Sequence, residues 1–140
     1  MAYKIFLDAN VLLDLNLKRK GFEEARTIFI GIQKGIYKAY ISSSVLHILC
    51  YILPKNFSKK VTKEILLNLL EEVSIIDTPQ QVAINAISSN IDDTEDALQY
   101  YAAMYHQLDY FISGDKQLKK EANSTLPIYN PLEFIKLFEI

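Results

Sequence analysis

The chain reads as an α/β protein: three layers, with helices on both faces of a central, mostly parallel, five-stranded sheet. Three observations predict this. Short runs of β-forming residues alternate with stretches of helical periodicity along all 140 residues. The first strand, Tyr3-Lys4-Ile5-Phe6-Leu7, is nearly continuously apolar, as suits a strand covered on both faces of a parallel sheet. That strand passes into the helical run Val11-Leu12-Leu13-Asp14-Leu15 within about three residues, the short connection typical of strand–helix units with right-handed crossovers.

In chain order, the first helix ends at a basic turn, Lys18-Arg19-Lys20-Gly21. Phe22, Ala25, Ile28, Phe29 and Ile32 then recur at helical spacing, predicting a helix over 22–34 with Gly35 as its stop. Residues 36–41 read as a second strand, and Ser42-Ser43-Ser44 supplies hydroxyls to cap the helix that follows, 44–53. That helix is apolar nearly all round, which predicts burial or pairing with a second copy. Pro54 ends it, Ser58 caps a further helix through Glu71 or Glu72, and 73–77 is a third short strand. Thr78-Pro79 opens another helix, interrupted at Ser88-Ser89-Asn90. Asp92 to Asp96 starts the helix 97–106, followed by the apolar strand Tyr110-Phe111-Ile112 and the loop Ser113-Gly114-Asp115. A short helix near 116–122, a fifth strand around 127–129 and a helix over 131–138 complete the pattern.

Length and composition suit one domain spanning 1–140, with half the residues apolar. A formal charge of −2 gives no global basic field, so any nucleic-acid contact must be local. The single cysteine, Cys50, excludes an intrachain disulfide framework, and its apolar neighbours predict a buried, inert thiol. No basic segment precedes an apolar signal core, and no apolar run approaches the ~20 residues of a membrane helix, so a cytoplasmic protein without membrane association is expected.

The chemistry gathers at acids. Asp8 follows the first strand and Asp115 the fourth, both at carboxyl ends, where open α/β sheets bind ligands. Asp93 and Asp96, three apart at a helix start, share a face. If these elements meet on one sheet edge, four carboxylates face one crevice. Such a cluster repels itself unless protonated or neutralised by a cation, and oxygen-only donors select Mg²⁺ or Mn²⁺ over zinc. An ion held there can polarise a phosphodiester and activate water. Spacing alone favours a second reading, in which Asp8, Asn10, Asp93, Asp96 and Asp115 serve only as helix caps and first-turn acids.

The segments Phe6-Leu7-Asp8-Ala9-Asn10-Val11-Leu12-Leu13-Asp14, Asp93-Thr94-Glu95-Asp96-Ala97-Leu98-Gln99-Tyr100 and Asp109-Tyr110-Phe111-Ile112-Ser113-Gly114-Asp115 resemble, in this order, the three motifs of PIN-domain nucleases. The resemblance implies a PIN-like α/β/α domain with an acidic pocket for Mg²⁺ or Mn²⁺ and hydrolysis of RNA phosphodiesters. It also implies the toxin role in a toxin–antitoxin pair, with an antitoxin protein as partner and a homodimer as the assembly. Asp8 matches the first acid, Asp96 the acid on the helix, Asp115 the acid after the fourth strand and Asp93 an accessory acid. Asn10 matches a polar position beside the first acid, and Ser113 a hydroxyl position in the last motif. One position departs: Ile48 holds the place of a glutamate that many active members carry after the second strand. That departure supports an alternative, a catalytically weak PIN-like module that binds RNA or a protein partner. A flavodoxin-like sheet with no metal site is the plainest alternative.

Other features fit two readings. His47, beside Ile48, is either an ordinary surface histidine or a substrate contact, since neighbouring helix positions point about 100° apart. Among the lysine runs, Lys116 stands out as a candidate substrate contact because it follows Asp115 directly. His106, near a helix C-terminus, suits the surface there. Tyr100, Tyr101 and Tyr105 lie along one helix and offer material for a subunit interface.

Overall fold

A computed structural model describes residues 2–138 and has at its centre five strands. These are β1 (Tyr3–Leu7), β2 (Tyr37–Ser42), β3 (Val73–Ile76), β4 (Tyr110–Ile112) and β5 (Ile128–Tyr129), in spatial order β3-β2-β1-β4-β5. Every pairing is parallel, with Ile5 opposite both Ala39 and Tyr110, and Leu7 opposite Ile112. The chain builds outward from β1 to β3, then crosses back to lay β4 against the other side of β1. The order therefore reverses between β1 and β4, and a crevice opens outside strand ends at such a switch point. Ile5, Phe6 and Leu7 are fully buried, as a central strand covered on both faces requires.

The helices are α1 (Ala9–Leu17), α2 (Phe22–Gln33), α3 (Ser43–Ile52), α4 (Lys59–Glu72), α5 (Gln80–Ile87), α6 (Thr94–Tyr105), α7 (Lys116–Lys120) and α8 (Pro131–Phe138), with a 3-10 turn at Leu53–Lys55. Alternate strand residues face opposite ways, and the aromatic side chains sort accordingly. On one face, Tyr37 and Tyr110 meet Phe134 of α8 at 5.0 and 5.7 Å between ring centroids. On the other, Phe6 stacks on Phe111 at 4.6 Å, and Tyr100 of α6 sets its edge against Phe111 at 5.5 Å. The three layers are thus pinned by rings from both sides of the sheet.

Local signals operate where the sequence puts them. Gly35 takes φ 79°, the left-handed conformation that ends α2. Ser42 Oγ accepts the Val45 N–H at 3.3 Å, and Ser58 Oγ accepts the Val61 N–H at 3.2 Å, capping α3 and α4.

Three expectations need correction. Helix α3 is not buried all round: Val45 and Leu49 are enclosed, Leu46, Ile48 and Ile52 are half-buried, and Tyr51 is 69% exposed. Cys50 is exposed, not buried, because it sits one residue, about 100°, away from the Val45–Leu49 stripe. Tyr100 belongs to the core rather than to a subunit interface. Its hydroxyl donates to Leu126 O at 2.6 Å and accepts the Asn123 N–H at 2.8 Å, tying α6 to the loop before β5.

Candidate active site

The β1–β4 crevice is built by backbone continuity. The Asp8 N–H donates to Ile112 O at 3.1 Å, extending the β1–β4 ladder one residue beyond the strand and setting Asp8 beside the loop after β4. The Asp8 carboxylate stands at the start of α1 but makes no capping bond. Its Oδ2 instead accepts the Ser113 hydroxyl at 2.7 Å. Ser113 Oγ in turn accepts the Asp115 N–H at 3.1 Å. One buried hydroxyl therefore joins the acid after β1 to the acid after β4.

The other acids are placed by helix starts. Asp93 Oδ1 accepts the Asp96 N–H at 3.0 Å and caps α6. Asp115 Oδ1 accepts the Gln117 and Leu118 N–H groups at 2.9 and 3.1 Å and caps α7. Each cap is made by Oδ1 alone, so a carboxylate can cap its helix and still face the hollow. Asp93, Asp96 and Asp115 line one hollow of about 200 Å³ together with Asp92, Leu118 and Glu121. Asp8 is not among its lining residues and reaches it through Ser113.

The electrostatics follow. Burial pushes the Asp8 carboxyl above its ordinary value, opposed by the Ser113 hydrogen bond. Asp96 is pushed up to about 7, first by burial, then by its hydrogen bond with Asp115 and by the charges of Asp93, Asp115 and Asp8. Asp115 moves the other way, held down chiefly by the Leu118 N–H, with the Asp96 hydrogen bond and the Gln117 N–H adding to it against burial. Between these two acids the proton rests on Asp96.

The remaining candidates occupy varied places. Asn10 is exposed on α1, and its Oδ1 accepts Arg19 Nη2 at 3.2 Å. Lys116 is exposed at the first position of α7, and His47 is exposed on α3. Ile48 packs half-buried against the core. Lys119 is ion-paired with Glu133, whose carboxyl is lowered chiefly by that lysine. His106 lies against Asp77, 2.9 Å from both its backbone and its side-chain oxygen.

Sequence reasoning missed Glu121, which no spacing rule links to Asp115, and the trio of Asn10, Asp14 and Arg19. Arg19 Nε donates to Asp14 Oδ1 at 2.9 Å. Asn10 and Asp14 are four apart on α1, and that shared face was the available signal.

Among the described residues, no three His, Cys, Asp or Glu side chains stand gathered around a point as a finished metal cage. The donor set nevertheless fits a hard divalent cation. It is all oxygen, and every neighbouring charge acting on Asp96 is negative, so a cation there favours the ionised form that burial and those charges disfavour.

A family model described as PIN domain matches residues 4–117. A comparison with curated proteins returns no match. Among solved structures, the chain is similar to VapBC2 from Rickettsia felis, solved bound to a DNA fragment from their promoter. The identity is 18% and the TM-score 0.64, over 91% of this chain and 98% of that one. It is also similar to PAE2754 from Pyrobaculum aerophilum, at 14% identity and TM-score 0.60, over 99% and 98%. At these identities the likeness speaks to the fold.

Proposed function

The chain belongs to the PIN domain family, and from that premise we propose that it is a metal-dependent endoribonuclease, the toxin component of a toxin–antitoxin pair. The observation that carries the reading is the linkage of acids across the switch point: Asp96 to Asp115, and Asp115 through Ser113 to Asp8. Asp8, Asp96 and Asp115 are the catalytic residues and, with Asp93, the holders of Mg²⁺ or Mn²⁺. Asn10 and Ser113 support them, and Lys116 and His47 are the candidates for touching RNA. One PIN-like domain over 1–140, an antitoxin protein as partner, a homodimer as the assembly and a cytoplasmic setting complete the proposal. Among the described residues no helix is long and apolar enough to cross a membrane.

The chain's own groups divide the work. The bound cation supplies electrostatic stabilisation of charge on the phosphate and a lower pKa for the attacking water. Ser113 fixes the rotation of the Asp8 carboxylate by donating to Oδ2. The Gln117 and Leu118 N–H groups pin Asp115 Oδ1, which fixes the carboxylate that shares a hydrogen bond with Asp96. Asp96 carries the proton that must leave before it can act as a ligand, so it gates charge on the site.

Calorimetry with Mn²⁺ and Mg²⁺ on the natural protein and on Asp96→Asn, with cleavage of a mixed RNA pool followed in the same buffers, tests this. Binding and cleavage are both expected, and both should fall at least about 100-fold in the variant. No metal binding by the natural protein sinks the nuclease reading. It would leave the second reading, a catalytically weak module binding RNA or a protein partner, which one observation favours: half-buried Ile48 packs against the core where the resemblance sets a glutamate.

A further inference from the structure

A second, larger cleft of about 700 Å³ has Gly114 in its wall, together with Arg19, Lys20, Glu24, Asn130 and Leu132. Its chemistry differs from the acid cluster in three respects. Arg19 gives Nε–H to Asp14 and one Nη2–H to Asn10, two of the five donors a guanidinium carries, so three remain for a ligand. The two bonds also hold the guanidinium in place, and Asn10 stands two residues from Asp8. Glu24 is the second feature. Its Oε2 is buried and has no hydrogen-bond partner among the described residues, so the carboxylate gains by turning toward any ligand in the cleft that brings N–H groups. The third is Gly114 itself, which lines the cleft, precedes Asp115 in the chain and offers open space where a side chain would stand.

From this juxtaposition we infer that the cleft is a guanine-selective nucleotide subsite, with Glu24 as the specificity-determining residue and Arg19 as the contact for the nucleotide's phosphate. The inference rests on the reading of the chain as an RNA-cleaving enzyme. A carboxylate only accepts hydrogen bonds, so its best partner is an edge with two adjacent donors. Guanine offers N1–H beside its N2 amino group. Adenine and cytosine each place an amino group beside a bare ring nitrogen, and uracil sets its single N–H between two carbonyls, so each of the three brings a lone pair against the carboxylate. Reading such an edge requires an unpaired base, as in single-stranded RNA. Turning the carboxylate about its broad last torsion brings Oε2 out of its buried position, so that both oxygens face the paired donors. Leu132 supplies apolar wall for the ring, and the phosphate lies toward Arg19, on the Asn10 side that leads to Asp8.

Amide chemical shifts followed during titration with GMP, AMP, CMP, UMP and guanosine test the subsite without any cleavage. GMP is expected to shift Gly21, Gly114 and Asn130 and to bind about tenfold or more tightly than UMP, the margin of a bidentate base contact. Glu24→Gln, isosteric and on a half-buried position, should erase that margin while the melting temperature holds. Arg19→Ala should erase the advantage of GMP over guanosine. Equal shifts from all four nucleotides, or shifts that map elsewhere, overturn the proposal. So does displacement at the same amides by an arginine amide but by no nucleotide, which assigns the cleft to a protein partner. RNA cleavage with a base preference that Glu24→Gln leaves unchanged overturns the subsite and spares the nuclease. Guanine-selective shifts without cleavage of any RNA keep the subsite and sink the nuclease.

Discussion

The acidic hollow and the Arg19 cleft handle charge in opposite ways. On the α6–α7 side, Asp93, Asp96 and Asp115 face one hollow that Asp92 and Glu121 also line and to which no Lys, Arg or His among the described residues contributes, and Asp96 keeps its proton up to about pH 7. On the α1 side, Asp14 is met by Arg19 at 2.9 Å, Asn10 closes the trio, and the group is neutral without help. The first arrangement sets carboxylates against one another around backbone N–H caps, and the second is complete as folded. A protein that needed only helix caps would have no reason to aim three carboxyl groups into one space, so the strained side is where a cation would change most.

The sharpest way to break the contrast is Ser113→Ala. It strips the Asp8 carboxylate and the Asp115 N–H of their shared partner, so Mn²⁺ affinity should fall about 10–100-fold and unfolding free energy by about 1–3 kcal/mol. Calorimetry and chemical denaturation read the two effects, and unchanged values for both would show that the Asp8–Ser113–Asp115 linkage carries neither.

The pH dependence comes next. Asp96 has a folded value of about 7 against 3.8 in the unfolded chain, so the folded state holds a proton that the unfolded state has lost. Its stabilising contribution is therefore fully present below pH ~4 and disappears as pH rises through about 7. Asp8, also raised, acts with the same sign. Asp115, lowered, acts with the opposite sign and only on the acid side of its ordinary range. In chelator the melting temperature should fall between pH 5 and pH 8, and Mn²⁺ or Asp96→Asn should flatten the slope. A flat profile for the natural protein in chelator would remove the repulsion argument.

Asp93→Ala sharpens the comparison further. Losing the α6 cap costs about 1 kcal/mol, but it also removes one of the charges raising Asp96. The destabilisation seen at pH 5 should therefore shrink at pH 8, and a pH-independent loss would make Asp93 a cap alone. The smallest effect is expected from Gly21→Ala, where the new Cβ would collide with Asp14 Oδ2 and push it off Arg19. A surface pair with Arg19 41% exposed contributes under about 1 kcal/mol, so melting should barely move while the phosphate preference of Arg19 weakens.

Much of this frame was legible beforehand because it rests on local rules. β1 and β4 fall on the residues their apolar runs mark, and Ser42, Ser58 and Gly35 cap or stop helices as such residues do. The cap reading of Asp93 and Asp115 is visible in the structure, and because each cap is made by Oδ1 alone it does not compete with the proposed site role. What stayed hidden depends on orientation or on distant partners. Cys50 faces outward by a rotation that an all-apolar helix does not reveal. Tyr100 is enclosed because the loop of Asn123 and Leu126 comes back to meet its hydroxyl. Arg19 read as one charge in a basic run until the turn brought it onto Asn10 and Asp14.

The crevice also sits on the thin half of the sheet: β4 has three residues and β5 two, against five and six in β1 and β2. Few ladder bonds hold Asp115 beside Asp8, and short edge elements open before the rest of a domain. The β1–β2–β3 half can therefore stay intact through fluctuations that part the acids, with solvent exchange of the Ser113 and Asp8 amides as their trace. A cation bridging the two strand ends would act as a rivet on that weak seam, slowing exchange there and leaving β2 and β3 untouched.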